Sequence, residues 1–163
     1  MEKLFLDELR EMYGAEKHQL MILPLLKKAA SSLSLQNVLA HHLDTTREHI
    51  TRLEKVFRLL GKRSVARDSE AILAIGREAE TVIGTTRKGS ATRDAGLIVV
   101  AQKIEHYEIS SYGSLAQLAR TQEYDDVLDI LETSLYEEKE MDDVLTALAE
   151  NYINVEAGRE DAG

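Results

Sequence analysis

Four long stretches of this chain carry apolar residues at alternating steps of three and four, with few residues that would end a helix. The spacing predicts helices over about Leu4–Ala30, Leu33–Leu60, Ala91–Ala119 and Gln122–Val155. One proline and nine glycines in 163 residues leave little to interrupt them. The connections matter as much as the helices. The first two helices are joined only by SSLS and the last two only by RTQE, so each pair must fold back antiparallel. Between the pairs lie about thirty residues, from Gly61 to Ser90, enough to return the chain along a bundle roughly 40 Å long. Within them a short helix is expected from about Ser69 to Ile83, with Asp68 as its N-cap and Gly84 as its stop. The tail EAGREDAG is expected to be frayed, which makes residues 1–155 the domain and residues 156–163 a flexible tail.

The expected fold is therefore all-α. It is a four-helix bundle of two antiparallel hairpins with one long crossover carrying a short helix, which is ferritin-like connectivity. Simple up-down bundles need no such crossover.

The apolar stripes are broken, and always near the helix midpoint. Glu16 interrupts Phe5, Leu9, Met12, Leu20, Leu23 and Leu26 in the first helix. In the second, His42, Thr46 and His49 separate Leu35 and Leu39 from Leu53 and Val56. Glu108 lies on the third stripe with Glu105 one turn before it, and Glu138 and Asp142 break the fourth. Antiparallel helices of similar length bring their midpoints to one level. Five carboxylates and one or two imidazoles then meet in a layer bounded above and below by leucine and alanine. Unpaired buried carboxylates are costly and repel one another. Lys and Arg are nearly absent from the inward positions, Arg52 being the nearest candidate, so a metal is the economical counter-charge. Mixed oxygen and imidazole donors suit iron or manganese, and four or more carboxylates suit two ions bridged by shared carboxylates. The expected ligands are Glu16, His42, Glu105, Glu108, Glu138 and Asp142. His49 is expected as a ligand or as the hydrogen-bond partner of one. Thr46, Tyr13 and Tyr112 are expected around the ligands, the tyrosines within one turn of Glu16 and Glu108. His18, His41 and His106 face away from the stripes.

Other classes are narrowed by composition. A formal net charge of −9 argues against a nucleic-acid partner. The absence of cysteine removes thiolate zinc sites, thiol nucleophiles and any rubredoxin-type electron relay. No apolar run approaches the roughly 18 residues of a membrane span, and the start MEKLFLDELREMYGAEK is too charged for a secretory signal. The expectation is a cytoplasmic protein without membrane or nucleic-acid partners.

Four blocks also carry a family resemblance. LREMYGAEKHQL (9–20), HHLDTTREHITRLEKVF (41–57), VVAQKIEHYEISSYGSLAQLA (99–119) and LETSLYEEKEMDDVLTALA (131–149) resemble the YciE/YciF family of ferritin-like stress-response proteins. The likeness spans about residues 4–155, and its EHYEI…YG block is specific. It implies a ferritin-like bundle, often a homodimer, holding two iron ions or a related dinuclear site and reacting with a small oxidant such as oxygen or peroxide. Carried over by position, it marks Glu16 in YGAE, Glu105 and Glu108 in EHYE, His42, Glu138 and Asp142. Two departures stand out. Thr45 occupies a position that is commonly acidic in the family, implying one donor fewer at the first metal position, and the Glu-x-x-His of typical di-iron bundles is absent. The reaction is left open: ferroxidation, peroxide reduction and oxidase turnover all use such a site. So is a non-enzymatic alternative, a helical stress protein that binds partners and whose metal site is structural or vestigial.

Overall fold

The computed structural model describes residues 1–160. Helices α1 (Glu2–Ala29) and α2 (Leu33–Leu59) form one antiparallel hairpin, and α4 (Ala91–Thr121) and α5 (Asp125–Leu148) the other. The crossover carries α3 (Glu70–Thr85), packed on α4 and α1. Bundle closure comes from α1 against α4 and α2 against α5. No strand occurs among the described residues, and no helix among them is long and apolar enough to cross a membrane. The expected ferritin-like arrangement is the one observed.

Serines start three of the helices. Ser32, Ser69 and Ser90 each accept a hydrogen bond from the backbone N–H three residues on, at Leu35, Ile72 and Arg93. Ser69, not Asp68, therefore caps α3; Asp68 instead sits 3.1 Å from the His18 ring. Gly61, at φ 65°, follows the end of α2 in the left-handed region where glycine has no steric penalty. Gly84 does not stop α3, which runs one residue further because Arg93 holds its end: the guanidinium donates to the carbonyls of Ile83 and Thr86. Asp94 accepts from Ser31 N and Oγ and from Ser32 N, which ties the α1–α2 turn to the start of α4.

The C-terminal end differs from expectation. After α5 the chain makes a π-helical turn, Ala149–Ile153, then continues as α6 (Asn154–Glu160). Ala157 is buried, and Glu160 accepts from the backbone N–H groups of Ala91 and Thr92 at the start of α4. Residues 156–160, expected as frayed tail, are thus docked helix, because the free donors at the N-terminus of α4 give their carboxylate a partner. Residues 161–163 lie outside the described residues.

Two apolar cores result. One gathers Leu23, Leu26, Leu35, Leu39, Leu97, Ile104 and Leu145. The other gathers Phe5, Leu9, Met12, Leu53, Phe57, Leu115 and Leu131. Along every long helix these two sets are separated by buried polar residues.

Candidate metal centre

The polar layer is built by helical spacing. On α1, Glu16 and Gln19 are three apart. On α2, His42, Thr46 and His49 follow steps of four and three, and on α4, Glu105, Glu108 and Tyr112 follow steps of three and four. Glu138 comes from α5. All nine are buried, with exposures no greater than 1%.

Two donor groups form within this layer. His42, Glu105, Glu108 and Glu138 present ligand atoms within 4.8 Å of one another, and so do Glu16, His49 and Glu138. Glu138 belongs to both. In the first group His42 Nδ1 approaches Glu105 Oε1 to 2.8 Å, while His42 Nε2 stands 3.8 Å from Glu108 Oε2 and 3.7 Å from Glu138 Oε2. Those last separations are too wide for hydrogen bonds. They match two donors on one ion, since ligands about 2.1 Å from a metal lie up to roughly 4 Å apart. In the second group His49 Nδ1 faces Glu16 Oε1 at 3.1 Å and Glu138 Oε1 at 2.7 Å.

Electrostatics give the same picture. Burial opposes charge on His42, but the Glu105, Glu108 and Glu138 carboxylates hold its pKa well above the usual value. Burial likewise opposes charge on His49, yet Glu138 and Glu16 raise it to about 11. Burial pushes Glu105 up to about 8 despite His42, and burial with the neighbouring Glu138 and Glu16 charges pushes Glu108 well above the carboxylate range. Glu138 goes the other way: burial would raise it, but the two imidazoles bring it down to about 2. A layer left to itself must keep protons on several groups to remain buried.

The fit to metal ions rests on atoms that have no other partner. Glu16 Oε2, both nitrogens of His42, both oxygens of Glu105 and of Glu138, and Glu108 Oε2 are buried without a hydrogen-bond partner among the described residues. Even the close His42–Glu105 approach lacks hydrogen-bond alignment. Each such orphan costs about 1–3 kcal/mol, more where charged. Their partnered atoms hold the layer in place: Gln19 Nε2 donates to Glu108 Oε1 at 2.5 Å, and the Tyr112 hydroxyl donates to Glu16 Oε1.

The expected site residues are placed as follows. Glu16, His42, Glu105, Glu108 and Glu138 meet in the layer, and His49, Thr46 and Tyr112 meet there with them. Asp142 does not; one turn beyond Glu138 it has left the inward face, pairing with His106 at 3.2 Å and accepting from Gln102. Tyr13 is also elsewhere, donating to Glu54 at 2.8 Å. Thr45 points outward, its hydroxyl on the His41 carbonyl, so it takes no donor from the centre; Thr46 is the buried threonine. Gln19 was not among the expected residues. Nor was Glu137, which accepts from His49 Nε2 at 2.8 Å and is gripped by Arg52.

A bundle of two antiparallel hairpins, one long crossover, and carboxylates and imidazoles gathered from all four long helices belongs to the ferritin-like class. Within it, the chain belongs to the YciE/YciF family, matching over residues 1–158 the family described as Domain of unknown function (DUF892). Protein YciF of Escherichia coli K12 is 38% identical over 158 residues, which cover 96% of this chain and 95% of that one. The crystal structure of that E. coli stress protein superposes with a TM-score of 0.89 over 94% of this chain and 96% of the other. YcfI from Rhodopseudomonas palustris is 35% identical, with a TM-score of 0.87 over 90% and 92% of the two chains. A Xanthomonas campestris protein at 19% identity and a TM-score of 0.78, covering 98% and 97%, shares the fold.

Proposed function

We propose that this chain is a dinuclear-metal protein, with two iron ions as the resident metals and oxygen or peroxide as the oxidant it meets. The observation that carries the reading is the convergence of partnerless buried oxygens and nitrogens from four helices into two groups sharing Glu138. His42, Glu105, Glu108 and Glu138 would hold one ion; Glu16, His49 and Glu138 the other. Oxygen-rich sets with one imidazole each suit iron, with manganese as the other candidate. Bound there, two irons supply a pair of electrons to a small oxidant.

The chain's own residues do the rest. Glu138 ties the two positions together. Gln19 fixes the Glu108 carboxylate from one side, leaving Oε2 toward His42. Tyr112, fully buried, fixes Glu16 by its hydroxyl and packs edge-on to His49, with ring centroids 5.6 Å apart. Burial beside Glu16 raises the Tyr112 pKa well above the phenol range, so the hydroxyl keeps its proton as a donor. The leucine-rich cores above and below exclude bulk water from the layer.

Metal analysis of protein purified without chelator, followed by oxygen and peroxide consumption after ferrous loading, tests this. Two metals per chain with oxidant consumption is the expected result. Less than one metal per chain, and no optical change on adding peroxide, would overturn it in favour of a purely structural helical protein.

A further inference from the structure

One charged pair reaches the centre from the surface. Glu137 precedes the shared Glu138 on α5 and lines a groove between α2 and α5, beside Thr45 and Glu48. Arg52 on α2 grips it with a fork: Nη2 donates to Oε1 at 2.9 Å and Nη1 to Oε2. The same Oε2 lies 2.8 Å from His49 Nε2. Side-chain exposure falls from 25% at Arg52 and 28% at Glu137 to none at His49, so the three residues run from solvent into the layer.

The geometry points to Glu137 as the positioning residue that makes His49 a ligand through Nδ1, an inference that rests on the reading of the layer as a metal site. An ionised carboxylate offers only lone pairs, so His49 Nε2 must carry a hydrogen to face it. The lone pair of the neutral ring is then on Nδ1, the nitrogen that faces Glu16 and Glu138. Arg52 occupies both oxygens of Glu137, which prevents the carboxylate from turning away. Tyr112, edge-on to the imidazole at 73°, closes off the opposite swing. Turning the ring over would replace Nδ1 by a carbon and forfeit the bond to Glu137. His42 belongs to the other donor group, and its nitrogens face Glu105, Glu108 and Glu138, so the effect is confined to one of the two ion positions.

Zn²⁺ titration of the metal-free full chain, with ¹H–¹⁵N spectra of the imidazole nitrogens, tests the role in wild type, Glu137→Ala and Glu137→Gln. Wild type takes up two Zn²⁺, with His49 Nδ1 moving to a metal-bound shift while Nε2 keeps its hydrogen. Glu137→Ala loses roughly 10- to 100-fold in affinity at one position, the scale of a lost outer partner, and leaves the His42 signals unchanged. Glu137→Gln restores most of the loss, because its carbonyl still accepts from Nε2. Unchanged affinities and an unchanged His49 pattern in Glu137→Ala, or an equal loss at both positions, overturn the role while leaving the metal reading intact. Wild type that takes up no Zn²⁺ overturns both.

Discussion

Glu138 is the one side chain common to both donor groups, and its carboxyl is held at about 2 while its neighbours Glu105 and Glu108 are pushed up. Removing it should therefore differ from removing any other member of the layer. Glu138→Ala is expected to lower affinity at both positions by more than the roughly 100-fold upper range for an outer partner, whereas Glu16→Ala should spare the His42 position. Metal content by mass spectrometry, compared between the two variants, checks this; equal losses would show that the groups do not share Glu138 as described. Most of the layer can be read from the sequence, since polar breaks at one level in four apolar stripes must find partners in one another. Two departures, at Gln19 and Asp142, share one cause. Where a polar and an apolar residue adjoin, periodicity favours the apolar one: Leu20 over Gln19, Leu135 over Ser134. Yet Gln19 and Ser134 are the buried residues and Leu20 is exposed. A stripe through Leu135 also carries Asp142 inward, where the structure has Met141. Glu137 gives no periodic signal, because it reaches the layer through His49 from the helix edge.

At the scale of elements, the crossover is held to α1 by a close approach that only glycine permits. A Cβ on Gly14 would lie 1.8 Å from the Arg67 carbonyl oxygen, and Arg67 N donates to Arg10 O at 2.9 Å. Backbone cannot yield as a side-chain tip can. Gly14→Ala is expected to cost about 3 kcal/mol, the upper part of the overpacking range, lowering Tm by roughly 6–12 °C for a chain of this length. Thermal denaturation followed by circular dichroism measures it, and an unchanged Tm would mean the crossover is not fixed there. The opposite end has its own contact. Glu160 is held below the usual carboxylate range by the backbone donors of Ala91 and Thr92. A carboxyl with a lowered folded pKa contributes fully above its unfolded value, and the contribution fades as pH falls through the folded one. Exchange protection of the Ala91 and Thr92 amides should accordingly drop on acidification in wild type and be low at all pH in Glu160→Gln. The four long helices and their pairing were legible because stripe length and short turns leave one antiparallel solution. The π-helical turn was not: its extra residue moves the buried position from Tyr152 to Ile153, and a fixed period cannot register that.

For the whole molecule, the layer is a cost that two leucine-rich cores must carry unless cations are bound. Glu105 is raised to about 8 and His49 to about 11, so both hold protons at neutral pH in the metal-free chain, and burial raises Glu108 while the facing carboxylates raise His42. A metal ligand must give its proton up: imidazole binds as the neutral ring and carboxylate as the anion. Uptake at pH 7 is thus expected to release protons, and affinity to fall as pH is lowered, by up to about tenfold per unit for each proton released. Between pH 7 and 9 the change should lessen as Glu105 loses its proton without help. Binding only to the folded chain also adds stability, about 2.7 kcal/mol for one ion at a hundred times its Kd. That is a Tm rise of roughly 5–11 °C, reversed by chelator. Calorimetric titration in buffers of different ionisation enthalpy separates the two effects, since released protons make the observed heat depend on the buffer. A heat independent of buffer, with a Tm that does not move, would mean that the layer keeps its protons and that the cations are absent from the working protein.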